Sequence, residues 1–217
     1  MDALDALMTT RAIRRFTNAP VTDEEIIVCL RAAQQAPSGG NVQPLQYVVV
    51  QDAGQRRVLG ALYRRAYERY EKVLSAPPSF RSADDEASWR RTKAASDHLA
   101  QTLHDVPAIV VFLQPVISWI PSDGDGPLDI GRLDASVYPA VQNFMVAARS
   151  LGIGTALTTV IRIETAAVLE ALCVSGSVPY EIAALVPMGR PVGSFGVARR
   201  KPVEAVTHWD RWGNRRR

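Results

Sequence analysis

Residues 137–155, VYPAVQNFMVAARSLGIGT, hold the most regular apolar stripe in the chain: Val137, Val141, Phe144, Met145, Ala148 and Leu151 recur every three to four positions. That period predicts a central helix buried against a core. Gly152 supplies a natural C-cap. Pro139 is tolerable only in a first turn, which places the helix start near Asp134 or Ser136. Beyond it, Thr155 to Val160 and Ile182 to Met188 read as strands, with a helix from Glu164 to Leu172 between them.

Upstream, Ala3 to Thr10 reads as a short helix that Phe16, Asn18 and Pro20 bring to an end. Thr22 and Glu25 form a capping-box signature, followed by helical periodicity through Ile26, Ile27, Leu30 and Ala33 to Ala36. Tyr47–Val50 and Ala108–Leu113 are short runs apolar on both faces, as buried strands are. Leu59, Leu62, Tyr63, Ala66, Tyr67, Tyr70, Val73 and Leu74 keep helical spacing, so that helix covers something. Residues 77–82 interrupt it. Asp85 to His104 is polar enough for a helix at a surface or in a lid, and residues 118–126 read as a loop. The sum is one α+β layered domain over residues 1–217. Residues 193–217 have too little local pattern to pack alone. Trp209 and Trp212 imply burial against something else, with a partner subunit the natural candidate.

At 217 residues and 47% apolar content the chain can bury a full core. No run approaches the roughly 18 apolar residues that span a bilayer. The acidic start, Met1-Asp2-Ala3-Leu4-Asp5, does not resemble a signal peptide, and a cytoplasmic location is expected. Cys29 and Cys173 have no metal-ligand spacing, so we expect two reduced core residues and no metal. A net charge of +3 does not demand an anionic polymer, and Arg215, Arg216 and Arg217 read as a solvated end, so neither nucleic acid nor membrane is expected as partner.

The usual catalytic signatures are missing: no G-x-S-x-G, H-E-x-x-H or P-loop, and no G-x-G-x-x-G after a strand. His98 and His104 read as exposed helix residues. A chain without an evident nucleophile, yet rich in phosphate-binding residue types, can borrow its chemistry from a cofactor. Two clusters point that way. In Thr10-Arg11-Ala12-Ile13-Arg14-Arg15-Phe16, arginine forks can meet a phosphate while Ile13 and Phe16 anchor to the core; the same residues also read as a solvated basic turn. In Ala36-Pro37-Ser38-Gly39-Gly40-Asn41-Val42-Gln43-Pro44, small residues let backbone approach a flat ring whose edge Ser38 and Asn41 can bond; as a bare pattern it is only a connection.

Taken together, in order and spacing, these clusters resemble the FMN-dependent nitroreductase family. The first is similar to its Arg-Arg-Ser-x-Arg-x-Phe signature and the second to its Ala-Pro-Ser-x-x-Asn-x-Gln-Pro loop. Residues 141–148 and 151–155 resemble its central helix and the strand behind the flavin, Val186–Pro191 its late strand and Gly-x-Pro turn, and Arg200-Lys201-Pro202-Val203 its basic closing motif. The likeness is weakest from residue 75 to residue 126, where substrate choice is made in such proteins.

The resemblance implies a three-layer fold, a mixed and mainly antiparallel sheet flanked by helices, in an intertwined homodimer with an FMN site at each of two interfaces. Arg11, Ala12 and Arg14 would come from one subunit, Arg14 near the pyrimidine end of the ring and Arg11 nearer the phosphate with Arg199 and Arg200. Pro37, Ser38, Gly39 and Asn41 would approach from the other subunit. Leu157, Thr158 and Thr159 would lie behind the flavin, their amides at its N5 and O4 edge. Thr10 and Ala12 stand where the family has arginine and serine, which removes two phosphate ligands and shifts weight to Arg200. The implied chemistry is ping-pong: NADH or NADPH gives hydride to the flavin, leaves, and a nitroaromatic or quinone takes the electrons, with no side chain acting as a catalytic group. The alternatives are other chemistry on the same cofactor (dehalogenation, dehydrogenation, flavin fragmentation) and a non-catalytic flavin-binding or basic interaction protein.

Overall fold

The computed structural model describes residues 1–74, 77, 79–117, 120–129 and 131–216. Residues 75 and 76, where the weak stretch of the resemblance begins, residue 78 of the expected break, residues 118 and 119 of the expected loop, and residue 217 of the basic end lie outside the described residues. The chain opens with α1 (Ala3–Thr9). The capping box forms as read: the Thr22 hydroxyl accepts from the Glu25 amide at 3.3 Å and the Glu25 carboxylate from the Thr22 amide at 3.0 Å, starting α2 (Asp23–Gln34). β1 (Gln46–Val50), α3 (Ala53–Val73), α4 (Ala83–Thr102) and β2 (Ala108–Pro115) follow close to their expected positions. The expected loop contains a small hairpin, β3 (Ser122–Asp123) and β4 (Gly126–Pro127).

The opening stripe forms α5 (Asp134–Ser150), but Pro139 lies in its second turn rather than its first. Its missing N–H leaves the Ala135 carbonyl without a helical donor, and Ala135 is exposed, so water can take that place. The chain continues through β5 (Gly154–Thr155), α6 (Thr165–Ala171) and β6 (Tyr180–Gly189). β5 is two residues where six were expected. Ala156 donates to the Pro187 carbonyl at 3.3 Å, so the edge of Pro187 facing this strand has no N–H to return, and the ladder breaks. Pairing resumes only as a bridge between Thr158 and Leu185.

The sheet order is β1-β2-β6-β5 and every ladder in it is antiparallel; a lone bridge between Ala12 and Thr155 supplies the parallel character. β2 is buried on both faces. Ala108, Val110 and Phe112 face α2 and α5, while Ile109, Val111 and Leu113 face α3 and the C-terminal end of α4. A bulge opposite Phe112 and Leu113 leaves Ala183 unpaired, which turns Ala183 and Ala184 to the same core. The result is three layers with a core on each side of the sheet.

Two expectations are corrected. Cys29 is fully buried, but Cys173 is exposed: it ends α6 at φ +52°, its amide closing the last turn on Glu170, and its side chain turns outward. His98 and His104 are half-buried rather than exposed, because α4 lies down on α3. Trp209 and Trp212 are 42% and 90% exposed in the single chain, so the burial expected of them lies outside it.

Candidate active site

The Arg11–Phe16 segment is held in extended form between two partners. The Ile13 amide donates to Thr155 O at 2.8 Å, the Thr17 amide to Arg190 O at 2.8 Å, and Arg15 O accepts from the Val192 amide at 2.9 Å. Ile13 packs on Gly154 so tightly that a Cβ there would sit 2.8 Å from its Cγ2. These ties turn Arg14 into a cavity of about 440 Å³, within the size range of small-molecule sites. Arg11 and Arg15 point elsewhere and are exposed.

Ala156, Leu157 and Thr158 line the cavity with Arg14, as do Tyr63, Tyr67 and Tyr70 of α3, spaced to share one helix face. The Tyr63 hydroxyl meets Thr158 Oγ1 at 3.3 Å, and burial pushes the Tyr63 phenol above its ordinary value. α4 completes the wall with Trp89, Thr92, Lys93 and Ser96. Lys93 bonds both Glu71 and, at 2.6 Å, Asp97, whose Oδ1 also accepts from the Tyr67 hydroxyl at 2.7 Å. Burial alone would raise the Asp97 carboxyl; Lys93 and Tyr67 hold it below its usual range instead.

Backbone bonding sorts the expected 157–159 segment. The Thr158 amide donates to Leu185 O at 2.9 Å, so it is not available to a ligand, and this residue reaches the cavity through its hydroxyl. The Leu157 and Thr159 amides have no acceptor among the described residues. Thr159 is exposed and does not line the cavity.

The Pro37–Asn41 loop is elsewhere. Ser38 Oγ accepts from the Gln43 amide at 3.1 Å, and the Gly39 amide donates to Ser136 Oγ at 3.0 Å, which fixes the loop at the N-terminal end of α5. Gly40, Asn41 and Gln43 take left-handed φ values of 56°, 56° and 49°, a region that glycine adopts freely and that is costly for the other two. Arg14 and Ile13 lie at the opposite end of α5, and 17 helical residues separate the two ends by about 25 Å. Arg199 reaches Asp85 at 3.8 Å and Arg200 donates to Arg199 O at 3.1 Å; both are exposed and neither lines the cavity. The Thr10 hydroxyl is spent on Ala6 O at 2.7 Å, and Ala12 is exposed beside its bridge to Thr155. Of the expected set, the single chain therefore gathers Arg14, Leu157 and Thr158.

A family model described as the Nitroreductase family matches residues 7–190. The chain belongs to the nitroreductase family. It is 26% identical over 213 residues to the FMN reductase (NAD(P)H) of Bacillus subtilis strain 168, covering 98% of this chain and 75% of that protein. It superposes on a BluB-like flavoprotein from Clostridium difficile 630 with a TM-score of 0.74 at 22% identity, over 97% of this chain and 100% of that one. Against an iodotyrosine deiodinase bound to FMN and 3-iodo-L-tyrosine the TM-score is 0.71 at 18% identity, over 97% and 100%. These two likenesses establish the shared fold. What the sequence did not assign in this nitroreductase-family chain is the α3–α4 wall. Its signal was present in Tyr63, Tyr67 and Tyr70, which periodicity reads only as a packed stripe. Among the described residues no group of His, Cys, Asp or Glu side chains is placed to hold a metal.

Proposed function

We propose that two copies of this chain form a dimer with an FMN site at each of two interfaces. In this reading it passes two electrons from NADH or NADPH to a small electron-poor acceptor such as a nitroaromatic or quinone, the donor leaving before the acceptor enters. The observation that carries the reading is Arg14 turned into a cavity that the unpaired Leu157 amide also borders at one end of α5, with the Pro37–Asn41 loop at the other. The cavity fits a flat, amphipathic ring: aromatic and aliphatic walls, one guanidinium, and free N–H donors at its rim. FMN, when bound, supplies the hydride-accepting and electron-donating ring that these side chains lack.

The chain's own residues then have separable tasks. Arg14 sets a fixed positive charge where negative charge accumulates on reduction, in a site partly shielded from water. Leu157 and Thr159 offer N–H donors to the polar edge of the ring, while Ser38, Gly39 and Asn41 of the second copy approach its open rim. Arg11, Arg199 and Arg200, which the single chain leaves in solvent, are the cations for the phosphate. Residues 193–217 pack on the second copy and cover Trp209 and Trp212. The name of the Bacillus subtilis relative supports a nicotinamide donor.

A second reading keeps the cofactor and changes the acceptor chemistry; the superposition on a deiodinase favours it. The test begins with colour. Purified protein is expected to be yellow and to release FMN on denaturation, and to oxidise NADH or NADPH with a quinone or nitroaromatic present. A protein that stays colourless after incubation with FMN overturns the cofactor assignment. A yellow protein inert toward both donors and both acceptors overturns the reaction and leaves the second reading.

A further inference from the structure

We propose that the α3–α4 wall of the cavity selects aromatic substrates that carry a positive charge, and that Glu71 receives that charge. This rests on the flavin reading above, with the α3–α4 side of the cavity as the part that the ring leaves to substrate. Two carboxylates, Glu71 and Asp97, stand around one ammonium, Lys93; Glu71 and Lys93 line the cavity and Asp97 lies behind them. Their sum is one uncompensated negative charge. Geometry locates it: Asp97 is held by Lys93 and the Tyr67 hydroxyl and lies against the Glu71 carboxyl, and of the two carboxylates only Glu71 lines the cavity.

The surroundings suit a cationic aromatic ligand. Tyr67, Tyr70 and Trp89 present ring surface next to Glu71 in the same cavity. Lys93 Nζ already lies 5.9 Å from the centroid of Tyr67, so these rings accept a cation at their face. Arg14 lines the same cavity with the opposite sign, so a ligand with a positive substituent is drawn by that substituent toward Glu71 and away from Arg14. Glu71 is about one-third exposed, which keeps its desolvation cost low and limits the effect to that of a partly screened pair.

The experiment compares three nitroaromatics of matched size: para-nitrobenzyl trimethylammonium, para-nitrobenzyl alcohol and para-nitrobenzoate. In the FMN-loaded protein, kcat/KM for the cation is expected to exceed that for the alcohol by about fivefold, with the carboxylate lowest. Glu71→Gln is expected to bring the cation-to-alcohol ratio to about one, and Lys93→Met, which frees a second carboxylate, to raise it. Loss of fold lowers both variants together, whereas the proposal moves the ratio in opposite directions. The same three compounds are titrated against the apo protein by quenching of tryptophan fluorescence, with Trp89→Phe as control, so selection is read even where no turnover occurs. Equal binding of the three probes, or a preference that Glu71→Gln leaves intact, overturns the proposal. Selective binding without turnover supports it and overturns the reaction proposed above.

Discussion

Replacing Gly154 by alanine puts a methyl group where Ile13 already stands. The new Cβ would lie 2.8, 2.9 and 3.1 Å from Cγ2, Cβ and Cγ1 of Ile13. Carbon pairs rest at about 3.5–4.0 Å, so one side must retreat by roughly 0.7 Å. Ile13 is stiff at χ1, and its amide is tied to Thr155 O at 2.8 Å, so rotation offers little relief and the backbone of residues 12–14 moves instead. Overpacking of this kind costs about 1–3 kcal/mol. For a chain of this length that lowers Tm by roughly 2–12 °C. Because Arg14 is the next residue, FMN affinity is expected to fall at least about fivefold, near 1 kcal/mol. Gly152→Ala is the control: its φ of +72° makes alanine costly by about 1–2 kcal/mol, but the added methyl meets nothing within 4 Å. It should lower Tm and leave FMN affinity unchanged. Thermal melts of the apo protein and FMN fluorescence titrations decide the matter. Wild-type FMN affinity in Gly154→Ala, or equal weakening in both variants, refutes the coupling between Ile13 packing and Arg14 position.

Arg14→Ala is expected to keep its fold, since the side chain is only half-buried, while FMN binding weakens about tenfold or more and turnover slows; retained affinity and rate refute the role. Hydrogen bonds from Arg65 and Arg69 hold the Glu164 carboxyl below its ordinary value, so its contribution to stability is complete above about pH 4.3 and is lost as pH falls through the depressed value. The urea midpoints of wild type and Glu164→Gln should therefore differ by a constant amount near neutral pH and converge in acid; a difference that widens in acid sinks the assignment. Burial pushes the Cys29 thiol up to about 12, whereas Cys173 is exposed, so brief alkylation of native protein near pH 8 should modify Cys173 alone, as read by peptide mass. Ile27→Glu places a charge on an apolar surface of α2 that is 46% exposed in the single chain. Sedimentation should show monomers that no longer hold FMN, and a dimer of normal flavin content refutes that surface as the contact.

The elements were legible where one local rule acts alone. The Thr22–Glu25 box and the Val137–Leu151 stripe need only neighbours within one helix, and both formed as read. The 155–160 strand failed because its pairing depends on a proline in another strand, Pro187, whose missing N–H no pattern at Thr155 reveals. Cys173 failed for a related reason: an apolar neighbourhood in sequence says nothing of a left-handed residue that turns its side chain out. In the cavity, Arg14 and Thr158 both come from segments the sequence singled out, but the Thr158 amide expected to face a ligand is spent on Leu185, a pairing that no local pattern reveals. The charge arrangement at Glu71, Lys93 and Asp97 joins two helices 22 to 26 residues apart in sequence, and nothing short of the fold brings them together.

The separation of the two motifs carries a thermodynamic consequence. One chain holds Arg14 and the Pro37–Asn41 loop at opposite ends of a helix about 25 Å long, too far for a single ring system to touch both. A two-fold pairing resolves this, since placing one copy's loop at the other's Arg14 creates the reciprocal contact at the same time, and hence two equal sites. Exposed apolar side chains suit such a pairing: Leu4, Leu7 and Met8 of α1, Val28 of α2, and Ile27, which borders a groove with Leu30 and Tyr47. If flavin is held only across that contact, its binding free energy is also association free energy, so cofactor stabilises the pair and pairing stabilises the cofactor. In such an assembly the left-handed backbone of Asn41 and Gln43, costly in the single chain, would gain its compensation from a ligand on the neighbouring molecule, so the cost is offset only where the pair forms.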